Sequence, residues 1–163
     1  MGFIKNYLRS LRIRQWVKNL FIFAPILFSL NFTNLEYLKN SVLAFFLFSL
    51  IAGNIYVLND IIDRKKDIHH PKKKNRPIAS GSLKVLPALS VSFFILIITL
   101  SAGFFFNRGF FIISLIYVFI NFFYSVYLKN IAIFDVFIIA IGFVLRVMIG
   151  GKINNIYLSP WLF

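Results

Sequence analysis

Asp60, Asp63 and Asp67 stand at i, i+3 and i+7 in the stretch Asn59-Asp60-Ile61-Ile62-Asp63-Arg64-Lys65-Lys66-Asp67. At about 100° per residue, a helix brings the three carboxylates within about 60° of one another on one face. Three like charges on one stripe repel, so the arrangement calls for a cation between them. Hard oxygen ligands of this kind suit Mg²⁺, which keeps several waters and completes its shell with phosphate oxygens. The plainer reading pairs the aspartates with Arg64, Lys65, Lys66 and the lysines downstream as a solvated charged segment. Scarcity weighs against it: the chain has 5 acidic residues against 18 Lys and Arg, and three of the five are here.

The segment that follows reads His69-His70-Pro71-Lys72-Lys73-Lys74-Asn75-Arg76-Pro77-Ile78-Ala79-Ser80-Gly81. Pro71 and Pro77 restrict the backbone and Gly81 permits an unusual one, so an ordered loop is expected. Its cations suit an anionic lipid surface, worth about 1 kcal/mol per basic residue, or a polyanionic substrate delivered beside the aspartates. Arg76 matches planar, bidentate phosphate contacts better than a lysine would. The adjacent histidines point in different directions and have no third ligand in view, which argues against zinc.

These groups must be positioned by membrane helices. Of 163 residues 60% are hydrophobic and 19% aromatic, and the 22 Phe exceed what a small water-soluble core buries. Disordered and ordinary soluble proteins are excluded, and an all-α integral membrane protein is expected. The chain has no cysteine, so thiol and disulfide chemistry are excluded too. Windows 19–35, 40–59, 85–107 and 109–128 carry no Lys, Arg, Asp, Glu or His, and each is within a few residues of the roughly 20 that a spanning helix needs. A fifth span, 131–149, is interrupted by Asp135 and Arg146. The windows are continuously apolar instead of alternating, which argues against a β-barrel.

Ile4, Tyr7, Leu8 and Leu11 recur at helical spacing among Lys5, Arg9, Arg12 and Arg14, so residues 1–18 read as an interfacial basic helix and not as a cleavable signal. Asn6 stands where a myristoylation signal needs Ser or Thr. With the N-terminus inside, 14 of the 18 Lys and Arg fall on the cytoplasmic side, and Lys39, Arg108 and Lys152 fall outside. The positive-inside rule then makes the 60–84 loop cytoplasmic and the protein a multi-pass component of the cell (inner) membrane. Because the cations follow that rule, a nucleic-acid partner is not expected.

Asp135 lies about 9 Å into the fifth span from Lys129, and an ionisable group at that depth needs a wet cavity or a partner. Arg146 follows eleven residues on, about 20° from the same azimuth and about 16 Å away along the axis. Both therefore look toward one interior without pairing directly, and Arg146 has the alternative of snorkelling outward.

With these residues in view, the chain resembles the UbiA-type membrane prenyltransferase superfamily, whose signature Asn-Asp-x-x-Asp-x-x-x-Asp matches Asn59, Asp60, Asp63 and Asp67. Within it, the chain is similar to the decaprenyl-phosphate phosphoribosyltransferase branch. Three segments carry that similarity: Arg14-Gln15-Trp16-Val17-Lys18-Asn19; His70-Pro71-x-Lys73-x-x-Arg76-Pro77-Ile78-Ala79-Ser80-Gly81; and Tyr124-Ser125 through Leu128-Lys129 and Asp135 to Gly142-Phe143-Val144-Leu145-Arg146 and Gly150-Gly151. Ile13 departs from the branch, which commonly has proline there. The resemblance implies a UbiA-type bundle of nine helices around a central cavity. About five of those helices are expected in residues 1–163, which would be an N-terminal part of that domain without its second polar region.

The resemblance implies Mg²⁺ held by Asp60, Asp63 and Asp67, with Asp135 a further catalytic group. It implies substrate contacts from Asn59, Arg14, Lys18, Lys73, Arg76, Lys129 and Arg146. The reaction would be transfer of phosphoribosyl from 5-phosphoribosyl diphosphate to a polyprenyl phosphate in the bilayer, releasing pyrophosphate. An aromatic prenyltransferase with a polyprenyl diphosphate donor would use the same aspartates. A non-catalytic membrane fragment with a lipid-binding basic loop is the reading from another class.

Overall fold

The computed structural model describes residues 2–129 and 132–159, and all regular structure among them is helical. Helix α1 spans Gly2–Ser10. Arg12 then takes a left-handed backbone, φ 52° and ψ 53°, and turns the chain into a 3-10 helix, Ile13–Phe23, that runs on into α2, Ala24–Phe28. Asn34 opens α3, Leu35–Ile62, by accepting hydrogen bonds from the Glu36 and Tyr37 N–H groups at 3.0 and 3.3 Å, the usual role of an Asn cap. The short α4, Arg64–His69, follows at once. Helices α5, Val85–Phe106, and α6, Arg108–Phe123, are joined by Asn107 alone, which ends one and caps the other through the Phe110 N–H at 3.0 Å. A π-helical turn, Tyr124–Leu128, extends α6, and α7 is Ala132–Ile153.

Four stretches are long and apolar enough to cross a membrane: Leu35–Ile62, Val85–Phe106, Arg108–Leu128 and Asp135–Ile153. The 19–35 window is different from the single spanning helix expected of it. Its residues are divided between the 3-10 helix, α2 and a turn through Leu30, whose φ is 58°. Pro25, which has no N–H, falls in the first turn of α2, where none is needed. A 3-10 helix rises about 2.0 Å per residue against 1.5 Å for an α-helix, so residues 13–28 still extend about 30 Å, the thickness of a hydrocarbon core. The segment packs between α3 and α7. The closest approach is at Gly150, where an added Cβ would lie 2.0 Å from the Ile22 carbonyl oxygen.

The core joins Phe48, Ile51 and Ile55 of α3 to Leu96 of α5, Phe110, Ile113 and Tyr117 of α6, and Leu145 and Ile149 of α7. Phe93, Phe94, Phe105, Phe119 and Phe122 point outward, as lipid-facing side chains do. A second cluster matters more for function. Tyr7 of α1 and Leu11, just after that helix, pack with Val57, Ile78, Leu83 and Ala88, which ties α1 and the basic loop to one end of α3 and α5. The Tyr7 hydroxyl donates to Asn54 Oδ1 at 2.6 Å and lies 2.8 Å from Ser92 Oγ. Burial raises its pKa, and the Ser92 contact opposes that shift. The loop is ordered by its own backbone, with Leu83 N–H donating to Pro77 O at 2.9 Å, and Gly81 supplies the one positive φ it needs, 78°.

Candidate functional site

The end of α3 sets the geometry of the aspartates, and it is not the continuous stripe that their spacing implies. The helix stops at Ile62, Asp63 is the joint, and α4 restarts at Arg64. Asp60 and Asp67 converge from either side of the joint, while Asp63 is drawn to Lys129, with which it forms an ion pair. Asp60 accepts from Arg12 and, at 3.1 Å, from Arg76 Nη1; the same Nη1 donates to Asp67 Oδ2 at 2.6 Å. Both carboxylates are buried. Left unpaired they would be costly, and the two guanidiniums at this position give each of them a partner.

Among the described residues no three His, Cys, Asp or Glu side chains are gathered as a ready metal centre. The expected trio therefore stands as two convergent carboxylates with Asp63 apart, because the helix breaks between them. The donor chemistry nevertheless fits Mg²⁺. Oxygens of Asp60 and Asp67 share one positively charged partner atom, Arg76 Nη1, so they already flank a position held by a cation.

The π-helical turn and Lys129 directly after it bring two side chains to the motif and a third to Asp135. The Ser125 hydroxyl donates to Asn59 Oδ1, Lys129 pairs with Asp63, and the Tyr124 hydroxyl donates to Asp135 Oδ1 at 2.6 Å. A π turn shifts the helical register, and here it re-aims the end of α6 toward α3 and α7. Beside it is a cavity of about 220 Å³ whose polar lining includes Lys18, Tyr56, Asn59, Tyr124, Asp135 and Arg146.

Arg146 is buried and points inward, which decides between the two placements open to it. Its Nε donates to Asn19 Oδ1 at 2.8 Å and its Nη1 to Gly142 O at 2.5 Å. The guanidinium carbon lies 5.3, 5.4 and 5.8 Å from the ring centres of Phe48, Tyr117 and Phe143, so a charge inside the bundle is held by hydrogen bonds and cation–π contacts together. Asp135 and Arg146 line the same cavity, and among the described residues no ion pair joins them.

Residues 20–163 match the model of the UbiA prenyltransferase family. The chain belongs to that family. This UbiA chain is 32% identical over 164 residues to a decaprenyl-phosphate phosphoribosyltransferase of Mycolicibacterium smegmatis, an alignment covering 97% of the chain and 51% of that protein. It is 31% identical over 160 residues to the uncharacterized protein y4nM of Sinorhizobium fredii, covering 98% of the chain and 31% of that protein. It superposes on a solved digeranylgeranylglyceryl phosphate synthase structure with a TM-score of 0.81 at 27% identity, covering 94% of the chain and 54% of its neighbour. A UbiA homologue from Archaeoglobus fulgidus, bound to DMAPP and Mg²⁺, shares the fold with a TM-score of 0.77 at 23% identity, covering 96% and 57%. The UbiA chain spans about half the length, or less, of these curated relatives. With four membrane-capable helices, it is a multi-pass membrane protein.

Of the site residues read from the sequence of this UbiA chain, Asn59, Asp60, Asp63, Asp67, Arg76 and Lys129 meet at the end of α3, and Lys18, Asp135 and Arg146 line the cavity beside it. Two lie elsewhere. Arg14 is exposed in an outer groove with Arg9, Ile13 and Gln15, and the Lys73 side chain is exposed while Lys72 lines the cleft next to Asp60. Arg12, Asn19, Tyr124 and Ser125 are site neighbours whose importance the spacing does not reveal. Asn19, Tyr124 and Ser125 do fall within the segments that carry the family resemblance, which is the signal the sequence held for them.

Proposed function

We propose that this chain belongs to a transferase that moves a phosphoribosyl group from 5-phosphoribosyl diphosphate to a polyprenyl phosphate, with Mg²⁺ as cofactor. The observation that carries the reading is the convergence of buried Asp60 and Asp67 on one cation, at the junction of a basic loop and a polar cavity inside a membrane bundle. The similarity to phosphoribosyltransferases supports that donor. Held by Asp60 and Asp67, with Asp63 nearby, Mg²⁺ would supply Lewis-acid stabilisation of the leaving pyrophosphate.

The rest falls to the chain's own side chains. In the transfer, a phosphate oxygen of the acceptor bonds to C1 of the ribose, the C1–O bond to pyrophosphate breaks, and pyrophosphate leaves with the electron pair. The acceptor is already an anion, so no strong general base is required. Arg76 and Lys129, now paired with aspartates, are placed to take donor phosphate oxygens as charge-assisted partners. Arg146 and Lys18 on the cavity wall are placed to hold the acceptor head group. Tyr124 keeps Asp135 oriented by donating its hydroxyl to Asp135 Oδ1. With the N-terminus and the 60–84 loop on the cytoplasmic face, 14 of the 18 Lys and Arg fall on that side; the positive-inside rule supports this orientation, which gives the site access to a soluble donor.

The second reading is transfer of a prenyl group from a polyprenyl diphosphate, favoured by the superposition on a digeranylgeranylglyceryl phosphate synthase. Membranes containing the chain, given radiolabelled 5-phosphoribosyl diphosphate and polyprenyl phosphate with and without Mg²⁺, separate the two. Lipid-soluble label that needs Mg²⁺ and is lost in Asp60→Ala supports phosphoribosyl transfer. Label that survives Asp60→Ala and Asp67→Ala refutes the metal assignment. Product only from a prenyl diphosphate and a second acceptor establishes the other reading, and no product with either donor points to a non-catalytic, lipid-binding role.

A further inference from the structure

The corner at Arg12, where α1 gives way to the 3-10 helix, has an outer side that the aspartate site does not use. Asn6 Nδ2 donates to Ser82 O at 2.9 Å, so that side of α1 faces the 60–84 loop. Ile4 and Leu8 stand two residues either side of Asn6, about 160° from it at 100° per residue, and both are exposed. Tyr7 and Leu11 are buried with Val57 and Ala88, which lie about 8 Å before the end of α3 and about 5 Å past the start of α5. That is the depth of a helix lying in the membrane plane, about 5–10 Å into the boundary between head groups and acyl chains. The exposed apolar pair therefore points away from the loop and into the bilayer.

The corner also shapes a groove of about 640 Å³, lined by Leu8, Arg9, Arg12, Ile13, Arg14 and Gln15. Arg12 is committed to the other side, paired with Asp60 and 4.9 Å from the Tyr56 ring centre. Arg9 and Arg14 are exposed and belong to none of the ion pairs among the described residues, while Leu8 and Ile13 give the groove an apolar side. Beyond it, a 3-10 helix sets residues three apart one above another. Arg14, Val17 and Leu20 thus form one exposed ridge that runs into the membrane, and Asn19 and Ile22 form another that is buried in the bundle. Cations at the rim and hydrocarbon along the ridge match an anion with an acyl chain attached. A free phosphate has nothing to lay on the ridge. The cavity proposed for the acceptor head group shares none of its described lining residues with this groove.

We propose that this groove seats an anionic phospholipid of the leaflet on the aspartate side, with its phosphate between Arg9 and Arg14 and an acyl chain along Val17 and Leu20. The two arginines belong to different segments, so a phosphate held by both ties α1 to the start of the 3-10 helix. That tie spans the left-handed turn, φ 52°, which aims Arg12 at Asp60. Nothing in the seat depends on which group the aspartate site transfers.

The test is native mass spectrometry of the full chain released from nanodiscs of phosphatidylcholine and phosphatidylglycerol, which counts the lipid that stays bound. Phosphatidylglycerol is expected to be retained over phosphatidylcholine by about tenfold or more, and R9Q/R14Q to cut that preference to about twofold or less. Both arginines are exposed and outside the ion pairs, so the double variant leaves packing intact. K65Q/K66Q removes the same charge from exposed lysines outside the groove and is expected to keep the preference. Equal loss in both double variants, or no preference in the parent chain, overturns the seat. So does displacement of the retained phosphatidylglycerol by an equal amount of short-chain polyprenyl phosphate, which would make the acceptor lipid the occupant. Depth is measured separately, because a chain without cysteine takes a single nitroxide in L8C. The label is expected to be reached by oxygen and shielded from a water-soluble nickel chelate, and the reverse overturns the placement of α1 in the bilayer surface.

Discussion

Arg146 and Asn19, separated by 127 positions, are joined by a hydrogen bond of 2.8 Å from Arg146 Nε to Asn19 Oδ1. Asn19 Nδ2 in turn donates to Ser49 Oγ at 2.8 Å. One amide thus stitches α7, the 3-10 helix and α3 together and fixes a buried guanidinium at the wall of the cavity.

Asn19→Leu keeps the approximate volume and removes both bonds, leaving Arg146 Nε and Ser49 Oγ without their partner. A loss of about 2–3 kcal/mol is expected, read as a lower unfolding midpoint in detergent. Ser49→Ala, which leaves the bond to Arg146 in place, is expected to cost about 1 kcal/mol. A stable Asn19→Leu protein would show that the network is not what holds Arg146.

Arg76→Met strands buried Asp67 and leaves Asp60 with Arg12 as its remaining ion-pair partner. Breaking such a pair costs about 3–5 kcal/mol, far more than deleting a surface pair. Adding Asp67→Asn removes the stranded charge, so the double variant is expected to recover part of the loss. A double-mutant cycle measures that coupling, and a zero coupling energy would contradict the shared nitrogen contact.

Lys129→Gln separates stability from function. In the Asp63–Lys129 pair the carboxylate is more exposed than those paired with Arg76, at 26% against 3% of full exposure. The stability cost is expected to stay below about 1 kcal/mol. Transfer activity is expected to fall, because the lysine lies between the metal motif and the cavity. An assay beside a melting curve shows whether the two effects part.

Chelation with EDTA is expected to abolish transfer and leave the unfolding midpoint nearly unchanged. The physical reason is that Arg12, Arg76 and Lys129 supply a positive partner for each of Asp60, Asp67 and Asp63. A large drop in stability on chelation would mean that those pairings do not sustain the fold by themselves.

Gly150→Ala tests the path of the 3-10 helix. A Cβ placed 2.0 Å from the Ile22 carbonyl oxygen meets backbone, which cannot swing aside as a side chain can, so α7 and the 3-10 helix must separate. Loss of the native fold is expected, whereas Gly2→Ala, with nothing within 4 Å, is expected to stay within about 0.5 kcal/mol of the parent.

Much of this protein is legible along the chain because the information is local. The charge-free windows at 85–107 and 109–128 lie over Val85–Phe106 and Arg108–Leu128, since hydropathy and charge decide what a bilayer accepts residue by residue. The motif from Asn59 to Asp67 announces its chemistry by residue type and spacing alone. Asp135 and Arg146 share a cavity because eleven residues make almost a whole number of helical turns.

What tertiary structure decided is which charges meet. Pairings between Arg12 and Asp60, Lys129 and Asp63, or Ser125 and Asn59 span 48, 66 and 66 positions, and no local periodicity records them. The break at Asp63 sends the third carboxylate to a different partner from its neighbours, and the 3-10 course of residues 13–23 follows from packing between α3 and α7. The sequence by itself determined the membrane, the helices and the residue types of the site. Only the packed helices decided that Arg12, and not Arg14, reaches the aspartates, because side chains meet according to how elements cross in space and not how far apart they are in the chain.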